Sequence, residues 1–287
     1  MGRTRIPYLT KGWNPVSGCS GNGCKVKKQC WAKTFLTRFP EAHERNSPFN
    51  KPAFHPRRLK EPYKWKSKPE VIGVCFIGDL FDKDVVWWGN HYGERIMEIF
   101  DVMMNNPQHE YLILTKQVLN MKEWFEEYLM YDPVHSNFWW GVSVTDQDDA
   151  DRLIPELFEI PGKHWISQEP TLEYVDYEKY MRCQSCGYSR RDMANQGDHY
   201  LCDHPTPVLD WLVIGCESGP GRRPMPLESA RKTLRQAQDT GTPIFIKQLD
   251  MGKHMEKNPE NFPPDLRVLQ FPYEFQMVPP ILKEKTG

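Results

Sequence analysis

Nowhere does the sequence hold a run of apolar residues approaching the ~18 that a membrane helix needs. The opening stretch MGRTRIPYLTKG has no apolar segment of the kind found in secretory leaders, and Ile6 stands where an N-myristoylation signal wants Ser or Thr. Charge of one sign is also missing. The formal net charge is -1 and the pI about 6.8, so nothing draws the whole chain toward nucleic acid or anionic lipid, although a local basic patch is compatible with both values. Internal repeats and low-complexity tracts are absent as well. These absences lead us to expect a cytoplasmic protein with no membrane partner. In a reducing compartment its eight cysteines read as metal ligands or catalytic groups rather than as a disulfide framework.

Several short apolar runs do occur: VIGVCFI (71–77), YLILT (111–115), FWWGVSV (138–144), WLVIGC (211–216) and PIFIK (243–247), with HWISQEP (164–170) a weaker member. They do not alternate in polarity, which predicts strands buried on both faces of a parallel sheet. Helical patterns separate them. Ile96, Ile99, Phe100 and Met103 share one face before a stop at Asn105–Pro107; further helices are expected near 118–130, 147–159 and 227–240, the last closed by Gly241. Taking NPVSG (14–18) as a possible first strand gives about seven strands in repeated βα order, which predicts an α/β fold, a partial or complete TIM-like barrel, over a doubly wound sheet. The segment 173–208 is polar, interrupts the alternation and reads as a small metal-binding insertion. We therefore expect the barrel in two parts, 1–172 and 209–255, followed by a proline-rich extension, 256–287, without regular structure.

Near the N-terminus, GWNPVSGCSGNGCKVKKQCWAK sets Cys19, Cys24 and Cys30 in a loop rich in glycine and lysine. Free thiols or a structural zinc with a distant fourth ligand would account for it. So would an iron-sulfur cluster, in which each iron of a cubane takes one thiolate; three thiolates leave one iron open. That is the counterpart of a catalytic zinc site with a vacant position.

The ordered set GWNPVSGC…GC…CWAK, FHPRRLKEPYKWKSKPEVIGVCFIGDLFD, LILTKQ, WWGVSVTDQ, WISQEP, LDWLVIGCESGPGRRPM and IFIKQ resembles an uncharacterised phage and bacterial family. Its members look like radical S-adenosylmethionine enzymes. The resemblance implies a partial TIM-type barrel and a 4Fe-4S cluster on Cys19, Cys24 and Cys30, with S-adenosylmethionine chelated at the open iron. It also implies an electron donor such as a flavodoxin or ferredoxin, and reductive cleavage to a 5′-deoxyadenosyl radical that abstracts hydrogen from a substrate. DNA or RNA bases are one substrate class, peptides and small molecules others. The loop departs from the superfamily's C-x3-C-x2-C spacing: Gln29 holds the usual aromatic place and Trp31 follows instead, to stack on adenine or to pack as core.

Residues after the predicted strands complete the candidate cofactor site, because ligands gather at the carboxyl ends of parallel strands. These are Gly78 and Asp79, Thr115 and Lys116, Ser143, Glu169, Glu217 and Lys247. By resemblance Asp79 would take the methionyl amino group; as a plain sequence feature it is equally a helix N-cap. Arg222 and Arg223 flank a glycine-rich turn beside Glu217. In the insertion, Cys183, Cys186 and Cys202 with either His199 or His204 supply four ligands for a tetrahedral zinc. Arg190 and Arg191, HPRRLK (55–60) and KWKSK (64–68) could contact phosphates. A non-catalytic, zinc-stabilised nucleic-acid-binding protein is therefore the alternative reading.

Overall fold

The computed structural model describes residues 4–43, 47–85, 92–128, 137–196, 202, 206–219, 221–273 and 275. In chain order the elements are β1 (Lys11–Trp13), β2 (Val16–Ser17), α1 (Trp31–Arg38), β3 (Ala53–Phe54), β4 (Val71–Val74), α2 (Tyr92–Met104), β5 (Glu110–Thr115), α3 (Val118–Tyr128), β6 (Phe138–Ser143), α4 (Gln147–Phe158), β7 (Lys163–Gln168), α5 (Arg190–Gln196), β8 (Trp211–Gly215), α6 (Leu227–Thr240), β9 (Ile244–Asp250) and β10 (Met255–Glu256). They form a mixed α/β fold around a large, mostly parallel eight-stranded sheet ordered β1-β4-β5-β6-β7-β8-β9-β10.

That order rises with the sequence throughout. A doubly wound sheet reverses direction at a switch point, and among the described strands no reversal occurs. The strands arise where the apolar runs lie because β4, β6 and β8 are buried at every position. One expectation is corrected: the first strand of the sheet is Lys11–Trp13, not NPVSG. Pro15 has no N–H to give a ladder, and Val16–Ser17 instead pairs antiparallel with β3.

Two compact units make up the chain, one mainly residues 1–141 and the other mainly 142–274. In the first, Ile96, Ile99, Phe100 and Met103 are all buried, as the helical spacing predicts. Phe100 stacks on Trp124 at 4.7 Å and on Trp140 at 5.6 Å, a ring cluster joining α2, α3 and β6. In the second unit, Asp146 caps α4 by accepting from the Asp149 N–H, and Gly241 ends α6 in the left-handed conformation. The insertion packs into this same unit. Beyond β10 the proline-rich segment makes short 3-10 turns and then lies along β9, with Ile246 N–H donating to the Val268 carbonyl and Gln270 N–H to that of Ile244. An otherwise open sheet edge is thereby covered. Among the described residues, no helix is long and apolar enough to cross a membrane.

Candidate active site and metal centre

In the first unit the cysteine loop follows β1 and β2 and enters α1, and the parallel bridge of Gly18 to Gly78 sets its start beyond the carboxyl ends of the parallel strands β1 and β4. The chain after β4 grips it. Gly18 N–H donates to the Ile77 carbonyl, and Gly18 bridges to Gly78. A Cβ on Gly78 would come within 2.7 Å of the Gly18 carbonyl, so glycine is what lets the two segments touch. Asp82 accepts from the Ser20 N–H at 2.7 Å, from the Ser20 hydroxyl at 2.9 Å and from the Asp84 N–H at 3.0 Å. Asp79 accepts from the Thr115 hydroxyl at 2.7 Å, the Lys116 N–H at 3.0 Å and the Phe81 N–H at 3.1 Å. Its helix-cap reading thus becomes a turn cap that also ties the loop after β4 to the end of β5.

Burial pushes the Cys19 thiol well above its usual range, and the Asp79 and Asp82 carboxylates push it the same way. Burial likewise raises the Asp79 carboxyl to about 6 against the pull of its three donors. Cys30 occupies the N-cap of α1. Trp31 is 44% exposed, so it is not core. Cys75 is buried within the β4 turn, and burial pushes its thiol up to about 12, as fits a packing residue.

A hydrogen-bonded chain that sequence reasoning missed stands two residues before Cys19. The buried Ser17 hydroxyl is 2.8 Å from His43 Nδ1 and 2.6 Å from His55 Nε2, and His43 Nε2 is 3.4 Å from the Pro48 carbonyl. A carbonyl only accepts, so neutral His43 carries its hydrogen on Nε2 and accepts at Nδ1. Ser17 donates there and accepts from His55. Neither histidine carried a sequence signal, because partners 26 and 38 residues from Ser17 meet it only in the fold.

In the second unit Glu169 pairs with Lys247 at 2.5 Å and accepts from the Ser167 hydroxyl at 3.0 Å. Lys247 therefore closes an internal ion pair. Glu217 accepts from the N–H, Nε and Nη2 of Arg223, and Arg222 pairs with Asp250, so the glycine-rich turn is braced by its own arginines. Burial raises the Glu217 carboxyl, but the bonds from Arg223 outweigh it and hold it below its ordinary value. Ser143 is buried at the end of β6.

Also in this unit, the ligand atoms of Cys183, Cys186 and Cys202 lie within 4.8 Å of one another. Cys183 and Cys202 sulfurs are 3.9 Å apart. Two sulfurs on a tetrahedral zinc, each about 2.3 Å from the ion, would be about 3.8 Å apart. Burial opposes ionisation of Cys183, but the Thr206 hydroxyl and N–H and the N–H groups of Cys186 and Ser185 outweigh it and bring the thiol down to about 5. Gly187 follows with φ 77°, and its N–H returns to the Cys183 carbonyl at 2.7 Å, giving a tight C-x2-C-G turn. His199 and His204 lie outside the described residues. Arg190 pairs with Asp210, and Arg191 donates to the Gln238 carbonyl. Both arginines thus brace the insertion.

The family described as "Protein of unknown function (DUF5131)" matches residues 3–277. The chain belongs to this family. The match spans both cysteine groups. No curated protein and no solved structure matches the chain. Among the described residues, Cys19, Cys24 and Cys30 do not form a group as tight as that of the insertion. A cubane, with each sulfur on a separate iron, needs a wider triangle than a single ion does.

Proposed function

We propose that this protein is a radical S-adenosylmethionine enzyme whose sheet is a partial barrel and whose insertion is held by zinc. One observation carries the reading: three cysteines share a loop at the carboxyl ends of parallel strands, where α/β sheets bind their ligands. A half-buried thiol beside two buried carboxylates fits this reading, because such a group of potential anions calls for a cationic ligand. Cys19, Cys24 and Cys30 would hold the 4Fe-4S cluster. When bound, the cluster supplies an open iron and one electron for cleaving S-adenosylmethionine to methionine and a 5′-deoxyadenosyl radical.

The chain's own work is positioning. Asp82 and Gly78 fix the loop, Asp79 fixes the ends of β4 and β5, and the Ser17 chain fixes the loop's entry. A flavodoxin or ferredoxin would deliver the electron. Cys183, Cys186 and Cys202 would hold zinc with a fourth ligand from the same insertion.

The test is anaerobic. Wild type and the Cys19→Ala/Cys24→Ala/Cys30→Ala variant are reconstituted with iron and sulfide, reduced with dithionite, given S-adenosylmethionine and assayed for 5′-deoxyadenosine. The reading expects iron and product from wild type and neither from the variant. Wild type that takes up only zinc would overturn it.

A further inference from the structure

We infer that the exposed face of α1, together with the basic segment 56–68, is a binding surface for single-stranded nucleic acid. The first observation is charge. Residues 25–68 contain thirteen Lys and Arg against three Asp and Glu, a net of +10 in a chain whose net is -1. An excess this local marks a polyanion footprint. The second is aromatic exposure. Trp31 is 44% and Phe39 40% exposed, at the two ends of α1, and Phe35 bridges them with ring centroids 6.3 Å from Trp31 and 5.0 Å from Phe39.

Cations flank these rings. Arg38 lies over Phe39 at 5.5 Å, and Lys27, Lys28 and Lys33 are exposed on either side of Trp31. In the second segment Lys66 lies over the exposed Tyr63 at 5.8 Å, with Arg57, Lys60 and Lys64 exposed nearby in sequence. The segments adjoin: half-buried Arg58 donates to the Ala42 carbonyl at 3.0 Å, just beyond α1, and to the Asn14 carbonyl at 2.8 Å.

Solvent-exposed rings have no reason to line a surface that need only attract charge. Rings interleaved with cations are what unpaired bases stack on while their phosphates are neutralised. Duplex bases offer no free faces, so the occupant is a single strand. The surface stands without the cluster; that its occupant is also the substrate, brought to the loop by Trp31 next to Cys30, rests on the function proposed above.

The experiment is fluorescence anisotropy of end-labelled oligothymidylate and oligouridylate, with a matched duplex, on the full chain with and without iron. Both single strands, or one of them, should bind more tightly than the duplex. The slope of log K against log salt should be about -2 to -3, as for three or four phosphate contacts. Trp31→Ala and Phe39→Ala should each weaken binding by about tenfold or more and leave the slope unchanged, with Trp31→Phe recovering most of the loss. Lys27→Ala/Lys28→Ala should reduce the slope by about 1.4. Leu119→Ala and Tyr273→Ala, exposed apolar residues elsewhere, should bind as wild type does.

Equal binding by the Trp31 and Phe39 alanine variants would reduce the surface to unspecific charge and overturn the inference. So would preference for duplex, or no binding at low salt. Binding by protein that yields no 5′-deoxyadenosine would sustain the surface and sink only the enzymatic reading.

Discussion

Ser17→Ala tests whether the chain from Pro48 to His55 holds the cysteine loop. The hydroxyl is buried and lies within hydrogen-bond distance of both histidines. Its removal takes a buried hydrogen bond from His43, worth about 1–3 kcal/mol, and one from half-buried His55, worth about 1 kcal/mol more. A total of roughly 2–4 kcal/mol, divided by the unfolding entropy of a chain this long, lowers Tm by about 3–7 °C.

The pH dependence of His55 sharpens the test. Burial, then the Arg58 and His43 charges, lowers its pKa to about 4 from an ordinary value near 6.5. Between these values the unfolded chain binds a proton that the folded protein does not, so stability rises with pH across that window. By pH 4 His55 has withdrawn up to about 3 kcal/mol relative to pH 6.5. His55→Asn removes the titration, and its stability should vary correspondingly less over the window. Circular dichroism melts at several pH values measure both effects. A Ser17→Ala Tm within a degree of wild type, or an unchanged pH dependence in His55→Asn, would refute the reasoning.

Three further outcomes are expected. Asp82→Ala frees Ser20 and removes one of the carboxylates that raise the Cys19 thiol, so Cys19 should alkylate faster at mildly alkaline pH; mass spectrometry of the labelled peptide reads this, and no acceleration would count against the clasp. Cys183→Ser should abolish about one equivalent of bound zinc, measured by elemental analysis, and chelation should cost wild type helical signal from the insertion. Glu217→Gln should cost about 1–3 kcal/mol, kept modest because Arg223 can reach solvent. Since Arg223 holds the Glu217 carboxyl low, its contribution is present above the ordinary carboxylate range and disappears as pH falls through the lowered value, so acid unfolding should separate the two proteins least at low pH.

What could be read from the sequence was what is local. The strands at 71–74, 138–143 and 211–215 were legible because burial on both faces leaves an unbroken apolar run, and α6 because Gly241 marks its end. The C-x2-C-G turn was legible for the same reason. Ser17, His43 and His55 were not, since partners 26 and 38 residues from Ser17 meet it only in the fold, where no periodicity announces them. Asp82 was hidden likewise, 62 residues from Ser20. Arg190 and Arg191 show that a charge counted in the sequence can already have a partner, since Asp210 and the Gln238 carbonyl, 20 and 47 residues away, engage them.

The same distinction bears on Asp79. A carboxylate offers about four acceptor sites, and Asp79 already receives three donors while Asp82 is filled by Ser20 and Asp84. Neither is arranged chiefly to greet an incoming ammonium group. Their bonds fix the backbone of the loops around Cys19, and their charge is a consequence that the site must then accommodate. Burial and these carboxylates raise the Cys19 thiol, and burial raises Asp79 itself to about 6. Arrival of a cationic group reverses the balance, since it favours the thiolate and the carboxylate together. The loop is thus built for position first, and the cationic ligand proposed for it would complete its electrostatics.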